Sequence, residues 1–357
     1  MKIGIMTFPN SWSHGASLQM YALFSKLKSM GHDVEVINYF NEYALRPEKQ
    51  KKDIRSMAKA VLQNVLHADK KRKFRRFEQR TVVLYPEKPI FDAVKLASLG
   101  ERYDYVICGS DQVWNPDITN QDLAYFLNFC ASGTKRISYA ASFGVDSLAL
   151  DFSKKIKPEL EKFYAISVRE QVGEKMIFDM LGKQADVVLD PTFFLCGSQW
   201  KKIQRSVSKI QGNYILYYTV SPSDSLYRFC EKLSAQTGLK IVLVGGNCFS
   251  KNTDHLLYAN DIAPDELLYL IDHATYVVTN SFHGLAFSIH YRKNFYVNLS
   301  SATNSRLEQL IQSLALESRV VNEDSQVFTD KIDFSIIEGT ISDLTRASER
   351  FLIDALE

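Results

Sequence analysis

The sequence predicts an α/β protein made of two Rossmann-like parallel-sheet domains. Three observations carry this. Short apolar runs alternate with amphipathic stretches, the rhythm restarts after a break near residue 192, and 357 residues suffice for two domains at ~100–200 residues each. Hydrophobic residues make up 46% and charged residues 24%, which excludes a mostly disordered chain.

The first series opens with IGIMTF (3–8) and VEVINY (34–39), both read as strands. Between them Leu18, Tyr21, Ala22, Leu23 and Leu27 recur at helical spacing over Ala16–Met30, and Gly31 ends the helix. YDYVICG (103–109), RISYAASFG (136–144), AISVRE (165–170) and ADVVLDP (185–191) continue as buried strands. The second series starts at YILYYTV (214–220). Ser225–Thr237 is its first helix and KIVLVGG (240–246) its next strand. A helix over Pro264–His273, strand YVVTN (276–280), a helix containing Ser288 and strand FYVNL (295–299) follow. Helices are expected over 304–315 and about 339–356. The expected domains are 1–191 and 214–357, joined by a linker at 192–213, with the last helix able to pack back on the first domain. The many Tyr and Phe fall mostly in these strand runs, where β-propensity explains them.

No signal-peptide pattern and no 18-residue apolar run occurs. The five cysteines are dispersed, with neither a disulfide framework nor zinc spacing. A cytoplasmic protein is expected, peripheral at most at the inner face of the plasma membrane. The net charge of +2 argues against a nucleic-acid partner, but it hides a local run. Residues 49–77 carry eleven Lys or Arg against Asp53 and Asp69, a balance of +9, which leaves −7 for the rest. Ile54, Met57, Ala58, Val61, Leu62, Val65 and Leu66 share one helical face there. The run reads either as a solvated helix packed on its domain or as a basic amphipathic surface facing anionic lipid or an anionic acceptor; nucleic acid is the weakest reading, since no reading motif accompanies it.

Four constellations stand at predicted strand ends, where open α/β sheets bind ligands. The first is PNSWSHGASLQ (9–19), with Asn10, His14 and Gly15; it reads as an anion-holding loop or an ordinary turn. The second is CGSDQVWNP (108–116). Asp111 there can accept a hydroxyl proton or cap a turn, Ser110 lies beside it, and Trp114 is either packing or a sugar platform. In the third, Ser167–Glu170, Arg169 offers a planar fork for a carboxylate or phosphate, or else a salt bridge. The fourth is TNSFHGLAFSIH (279–290). Asn280, Ser281 and Gly284 surround a helix start suited to phosphate, and His283 can exchange a proton near neutral pH. Arg306, beside Asn304 and Ser305, supplies a second anion grip. There is no G-x-G-x-x-G, no P-loop, no G-x-S-x-G and no metal-ligand spacing, so a metal-free, cofactor-free site is expected.

Taken together, MKIGIMTFPNSWSHGASLQMYAL, YDYVICGSDQVWNP, RISYAASFG, ISVRE, VVLDPTFFL, VVTNSFHGLAFSI and NSRLEQLIQSLALESR resemble the polysaccharide pyruvyl transferases over roughly residues 1–320. The resemblance implies a GT-B-like fold, two Rossmann-like domains facing across a cleft. It also implies transfer of pyruvate from phosphoenolpyruvate to sugar hydroxyls of a cell-surface polysaccharide precursor, giving a cyclic ketal and phosphate. The partners would be phosphoenolpyruvate as donor substrate and a sugar or lipid-linked oligosaccharide as acceptor. By the same resemblance, Arg169 and His283 belong to the phosphoenolpyruvate pocket. The first loop departs from the family's N-x-G-A, reading Ser13–His14–Gly15–Ala16. The expected roles are a proton from His283, acceptance of the hydroxyl proton by Asp111 or His14, and an anion grip from Arg169 and Arg306. The other readings are a GT-B glycosyltransferase using a nucleotide-sugar donor and a non-catalytic carbohydrate-binding protein.

Overall fold

The computed structural model describes residues 1–41, 68–245, 255–299 and 305–357. The apolar face expected over Ile54–Leu66, the basic residues Lys49–Lys59, Cys248 and Asn304 lie outside the described residues. The chain divides into two compact units, Met1–Leu195 with Leu344–Glu357, and Cys196–Asp343.

In the first unit the strands are β1 (Lys2–Met6), β2 (Asp33–Tyr39), β3 (Leu84–Ile90), β4 (Tyr105–Asp111), β5 (Lys135–Ala141), β6 (Ala165–Val168) and β7 (Asp186–Val187). The helices are α1 (His14–Ser29), α2 (Ala68–Thr81), α3 (Ala93–Ala97), α4 (Pro116–Thr119), α5 (Leu150–Leu160) and α6 (Gln171–Leu181). All strands pair in parallel in the order β3-β2-β1-β4-β5-β6-β7. Both faces are covered, so successive strand residues enter opposite cores. Ile3, Ile5, Val34, Val36 and Ile107 face one side, and Met6, Ile37, Val106 and Cys108 the other. Gly109 lets α1 approach β4 closely, since a Cβ there would sit 2.6 Å from Leu23 Cδ2.

The described part of the basic run, residues 68–77, lies in α2. It packs inward through Phe74 and Phe77, with Tyr21 of α1 6.3 Å from the Phe77 ring, and leaves Arg72, Arg75 and Arg76 exposed.

The second unit contains α7 (Gly197–Lys201), β8 (Tyr214–Tyr218), α8 (Asp224–Thr237), β9 (Lys240–Val244), β10 (Leu256–Tyr258), α9 (Pro264–His273), β11 (Tyr276–Thr279), α10 (Phe282–His290), β12 (Asn294–Val297) and α11 (Ser305–Ser313). Its parallel sheet has the order β10-β9-β8-β11-β12. Ile215, Tyr217, Val278 and Tyr296 from the strands pack on Leu226, Phe229 and Leu233 of α8. The last helix, α12 (Phe334–Asp354), starts in the second unit's residues and delivers Leu352, with Ala355 and Leu356 just beyond it, into the first unit's core. No helix among the described residues is long and apolar enough to cross a membrane.

Strand order reverses between β1 and β4 in the first unit and between β8 and β11 in the second. In each unit the switch point lies at the carboxyl ends of the central strands, the edge where open α/β sheets bind ligands, and the four sequence constellations map to these edges or beside them.

Candidate active site

The first unit's edge is organised around buried carboxylates. Arg169 follows β6 with its side chain 2% exposed; Nη1 donates to Asp190 Oδ2 at 2.9 Å and Nη2 lies 3.5 Å from Asp111 Oδ1. Burial opposes the guanidinium's charge, but Asp190, Asp111 and Glu170 outweigh it and hold its pKa above the ordinary value. The salt-bridge reading of Arg169 is therefore the one realised, and a substrate anion would meet a guanidinium already shared by two carboxylates. Asp190 also accepts from Ser110 Oγ (2.8 Å), Thr192 N (3.0 Å) and Thr192 Oγ1 (2.8 Å). Ser110 is fully buried and its hydroxyl is committed there, which corrects its assignment as a substrate contact. Asp111 ends β4 with φ 75°, a left-handed conformation uncommon outside glycine. Its side chain keeps 17% exposure while its Oδ1 accepts from Gln112 N at 2.9 Å. Ser142 Oγ donates to Glu170 Oε1 at 2.8 Å on the neighbouring strand end.

Trp114 is no sugar platform. It is 0% exposed, stacks on Phe126 at 5.4 Å, and its indole N–H donates to Tyr125 O at 3.0 Å. An indole with both faces packed and its donor satisfied is core.

The loop after β1 hangs on a carboxyl that sequence reasoning missed. Glu78 of α2 is fully buried; Asn10 N donates to it at 3.1 Å and Ser17 Oγ at 3.0 Å, while Asn10 Nδ2 donates to Asn38 Oδ1 at 2.9 Å. Asn10 and Trp12 both hold positive φ, 59° and 52°, so the loop is pinned in a shape that isolated residues avoid. Ser13 caps α1, accepting from Ala16 N, and Gly15 is buried in the first turn. His14 is 6% exposed, its ring 4.9 Å from Phe74.

Burial pushes the Glu78 carboxyl up to about 7 from 4.5, against the Asn10 N–H, Ser17 and Arg75, which favour the charged form. A raised folded-state pKa means stability fully present below pH 4.5 and lost as pH climbs through 7. Glu78→Gln keeps an acceptor for both donors and removes the ionisation. Its melting temperature should change less between pH 5 and 8 than the wild type's, a gap on the order of a few kcal/mol by thermal melts. Parallel curves would place the ionisation elsewhere.

In the second unit, the loop from β11 to α10 forms a tight cap. Ser281 Oγ accepts from Gly284 N at 3.3 Å, and Thr279 Oγ1 accepts from Ser281 N at 3.0 Å. A Cβ at Gly284 would lie 2.3 Å from Thr279 Oγ1, so the turn needs glycine. Asn280 clamps the neighbouring β8 loop: its Oδ1 accepts from Val220 N at 3.1 Å and its Nδ2 donates to Ser221 O at 2.9 Å. Its amide thus shapes the loop pair rather than offering free groups to a substrate. His283 sits in the first helical turn, 8% exposed, edge-on to Phe282 at 5.3 Å. First-turn N–H groups and the helix dipole favour an anion at such a start. Arg306 is half-buried in the first turn of α11, which packs against α10.

The structure thus links Ser110 and Arg169 through Asp190 and Asp111 through Arg169, ties Asn10 to Glu78 and His14 to Phe74 of α2 with Gly15 next to His14 in the first turn of α1, and groups Asn280, Ser281, His283 and Gly284 at one helix start. Asp190 had a readable signal, an Asp–Pro pair at a strand end. Glu78 had none, because its partners lie 61 and 68 residues away. Among the described residues, no three His, Cys, Asp or Glu side chains are grouped to hold a metal ion.

Solved structures with the same arrangement of elements include the UDP-N-acetylglucosamine 2-epimerase from Rickettsia bellii, at 9% identity over 99% of this chain and 95% of that one, TM-score 0.53. The UDP-GlcNAc 2-epimerase from Methanocaldococcus jannaschii aligns at 9% identity over 97% and 93%, TM-score 0.51. At that identity the likeness speaks for the fold, a two-domain α/β architecture of the GT-B type. No curated protein sequence matches the chain. The polysaccharide pyruvyl transferase family matches residues 14–298, a span that takes in the β4, β6 and β11 strand ends described above. With four-fifths of its length matched and both sheets of the expected kind, the chain belongs to the polysaccharide pyruvyl transferases, and it is a transferase of pyruvyl groups from phosphoenolpyruvate.

Proposed function

We propose that the acceptor is a sugar of a lipid-linked precursor of a cell-surface polysaccharide, and that the reaction uses the strand-end groups of each unit in distinct roles. The observation that carries this is the α10 start, where a capped helix N-terminus and a histidine occupy one turn at the sheet's switch point. Phosphoenolpyruvate brings a phosphate, which suits that helix start, with Arg306 as a further cation. His283 delivers a proton to the methylene carbon or the departing phosphate. Protonation makes C2 electrophilic and a sugar hydroxyl adds there. The C2–O bond to phosphate then breaks, and a second hydroxyl closes the ketal. Two hydroxyl protons leave, one balanced by the new methyl group and one by phosphate.

In the first unit, Asp111 is the acceptor of a hydroxyl proton, being the partly exposed carboxylate of its cluster, with His14 as the other candidate. Arg169 acts through Asp111, holding its carboxylate in position through the 3.5 Å contact. The pinned loop at Asn10–Gly15 lies on the same edge and belongs to the acceptor side. Water must be kept from C2, since its attack would release free pyruvate. A place at the inner face of the plasma membrane fits a lipid-linked acceptor and the exposed arginines of α2.

The test compares ligands on one preparation. Phosphoenolpyruvate should raise the melting temperature, and phosphate release should appear only when a sugar acceptor is added. Stabilisation by uridine or guanosine diphosphate with no response to phosphoenolpyruvate would instead support a nucleotide-sugar glycosyltransferase. Stabilisation by glycan alone would support a binding protein.

A further inference from the structure

A cavity of about 440 Å³ opens at the opposite, amino edge of the second unit's sheet, within the ~300–1,000 Å³ range of small-ligand sites. Its wall includes His273, Arg292, Lys293 and Lys331, together with the amides Asn213 and Asn294, and no acidic side chain among the described residues. The nearby acids are committed elsewhere. Asp272 pairs with Lys201 at 3.0 Å and accepts from Gln204 at 3.2 Å, Asp333 accepts from Ser335, and Glu338 pairs with Arg292 at the rim. Lys293 is half-buried, and its amine donates to the backbone carbonyl of Asp272 at 2.7 Å. Burial lowers its proton affinity and Lys201 adds to that, against Asp272. No carboxylate pairs with Lys293 or Lys331 among the described residues.

Arg292 stands just past α10 with φ 51°, a position where glycine or asparagine is the ordinary choice. Its left-handed turn lets Lys293 N reach back to Ser288 O at 2.8 Å and starts β12 at the cavity wall. Three cationic side chains, Arg292, Lys293 and Lys331, thus converge with His273 on one polar cavity; Glu338 offsets Arg292 from outside the wall, and the like charges of Lys293 and Lys331 have no carboxylate beside them among the described residues.

We propose that this cavity is a second anion site, taking a phosphate-bearing group, either a free phosphorylated molecule or the headgroup of an anionic phospholipid. It lies at the other end of α10 from His283, about 13 Å away along a nine-residue helix, so it is separate from the reaction site.

The test uses the full chain and the double variant Arg292→Asn with Lys331→Gln; asparagine tolerates the left-handed backbone, and both side chains are exposed. Inorganic pyrophosphate is titrated calorimetrically with phosphoenolpyruvate saturating. In parallel, sedimentation is measured with vesicles of phosphatidylcholine containing phosphatidylglycerol. At least a tenfold loss of pyrophosphate affinity in the variant, with phosphate release unchanged, supports a soluble phosphorylated ligand. A tenfold loss confined to the vesicle arm supports a lipid headgroup. Equal binding by wild type and variant in both arms, or no binding by the wild type in either, overturns the proposal. The binding that is lost should also weaken with salt.

Discussion

Asp190→Ala is expected to destabilise the first unit by roughly 3–5 kcal/mol, the range for breaking a buried ion pair from one side. The reason lies in what remains. Arg169, 2% exposed, would lose its 2.9 Å partner and keep only Asp111 at 3.5 Å from that carboxylate pair. Ser110 and Thr192 would lose the acceptor for their buried hydroxyls, each an added desolvation penalty. Asp190→Asn separates the two contributions, since the amide keeps an oxygen for the hydroxyls and removes the charge. It should fall between wild type and alanine in urea unfolding. A shift below about 1 kcal/mol for alanine would mean that the guanidinium finds another anchor. Activity should fall with the stability, because Asp111 is positioned from the same guanidinium.

His283→Ala is expected to lower kcat for phosphate release by about 10²–10⁴, the usual worth of a placed acid–base group, with KM for phosphoenolpyruvate little changed. The Ser281 cap, the Thr279 hydroxyl contact and Gly284 do not involve the imidazole, so the helix start and its first-turn N–H groups should stay in place. A rise in KM at constant kcat would make the ring a binding group. A normal rate with the correct acceptor would remove it from the reaction.

The central strands were legible because burial on both faces writes itself as continuous apolar sequence. IGIM, VEVINY and YVIC read as strands for that reason, and β1, β2 and β4 stand at the middle of the sheet. The edge strand β3 was not read: LYPEKPI carries two prolines and two charges, which only an edge tolerates. The helices α5 and α6 are hard to read for a related reason: each buries only a narrow apolar stripe, at Phe152, Ile156 and Leu160 in α5, among polar residues. At the site, strand-end position singled out Asp111, Arg169 and His283 as candidates. It could not separate a side chain that faces solvent from one that is spent, and Trp114, Ser110 and Asn280 fall in the second kind. Glu78 stayed hidden in a basic helix because a buried carboxyl is defined by tertiary partners.

The C-terminal part of α12 has a consequence for the newborn chain. Leu352, Ala355 and Leu356 cover the apolar face formed by Ile3, Ile5, Val34 and Ile137, Ser348 Oγ accepts from Leu189 N at 2.9 Å, and Glu349 pairs with Lys26 at 2.8 Å. Residues 1–195 therefore leave the ribosome without the piece that seals them. That piece follows after about 150 more residues, roughly 7–30 s at ~5–20 residues per second. Residues 196–343 are contiguous and can close their own core in that interval. The half of the protein made first is thus the half finished last, and until then the part of its apolar face that α1 does not cover stays open to solvent.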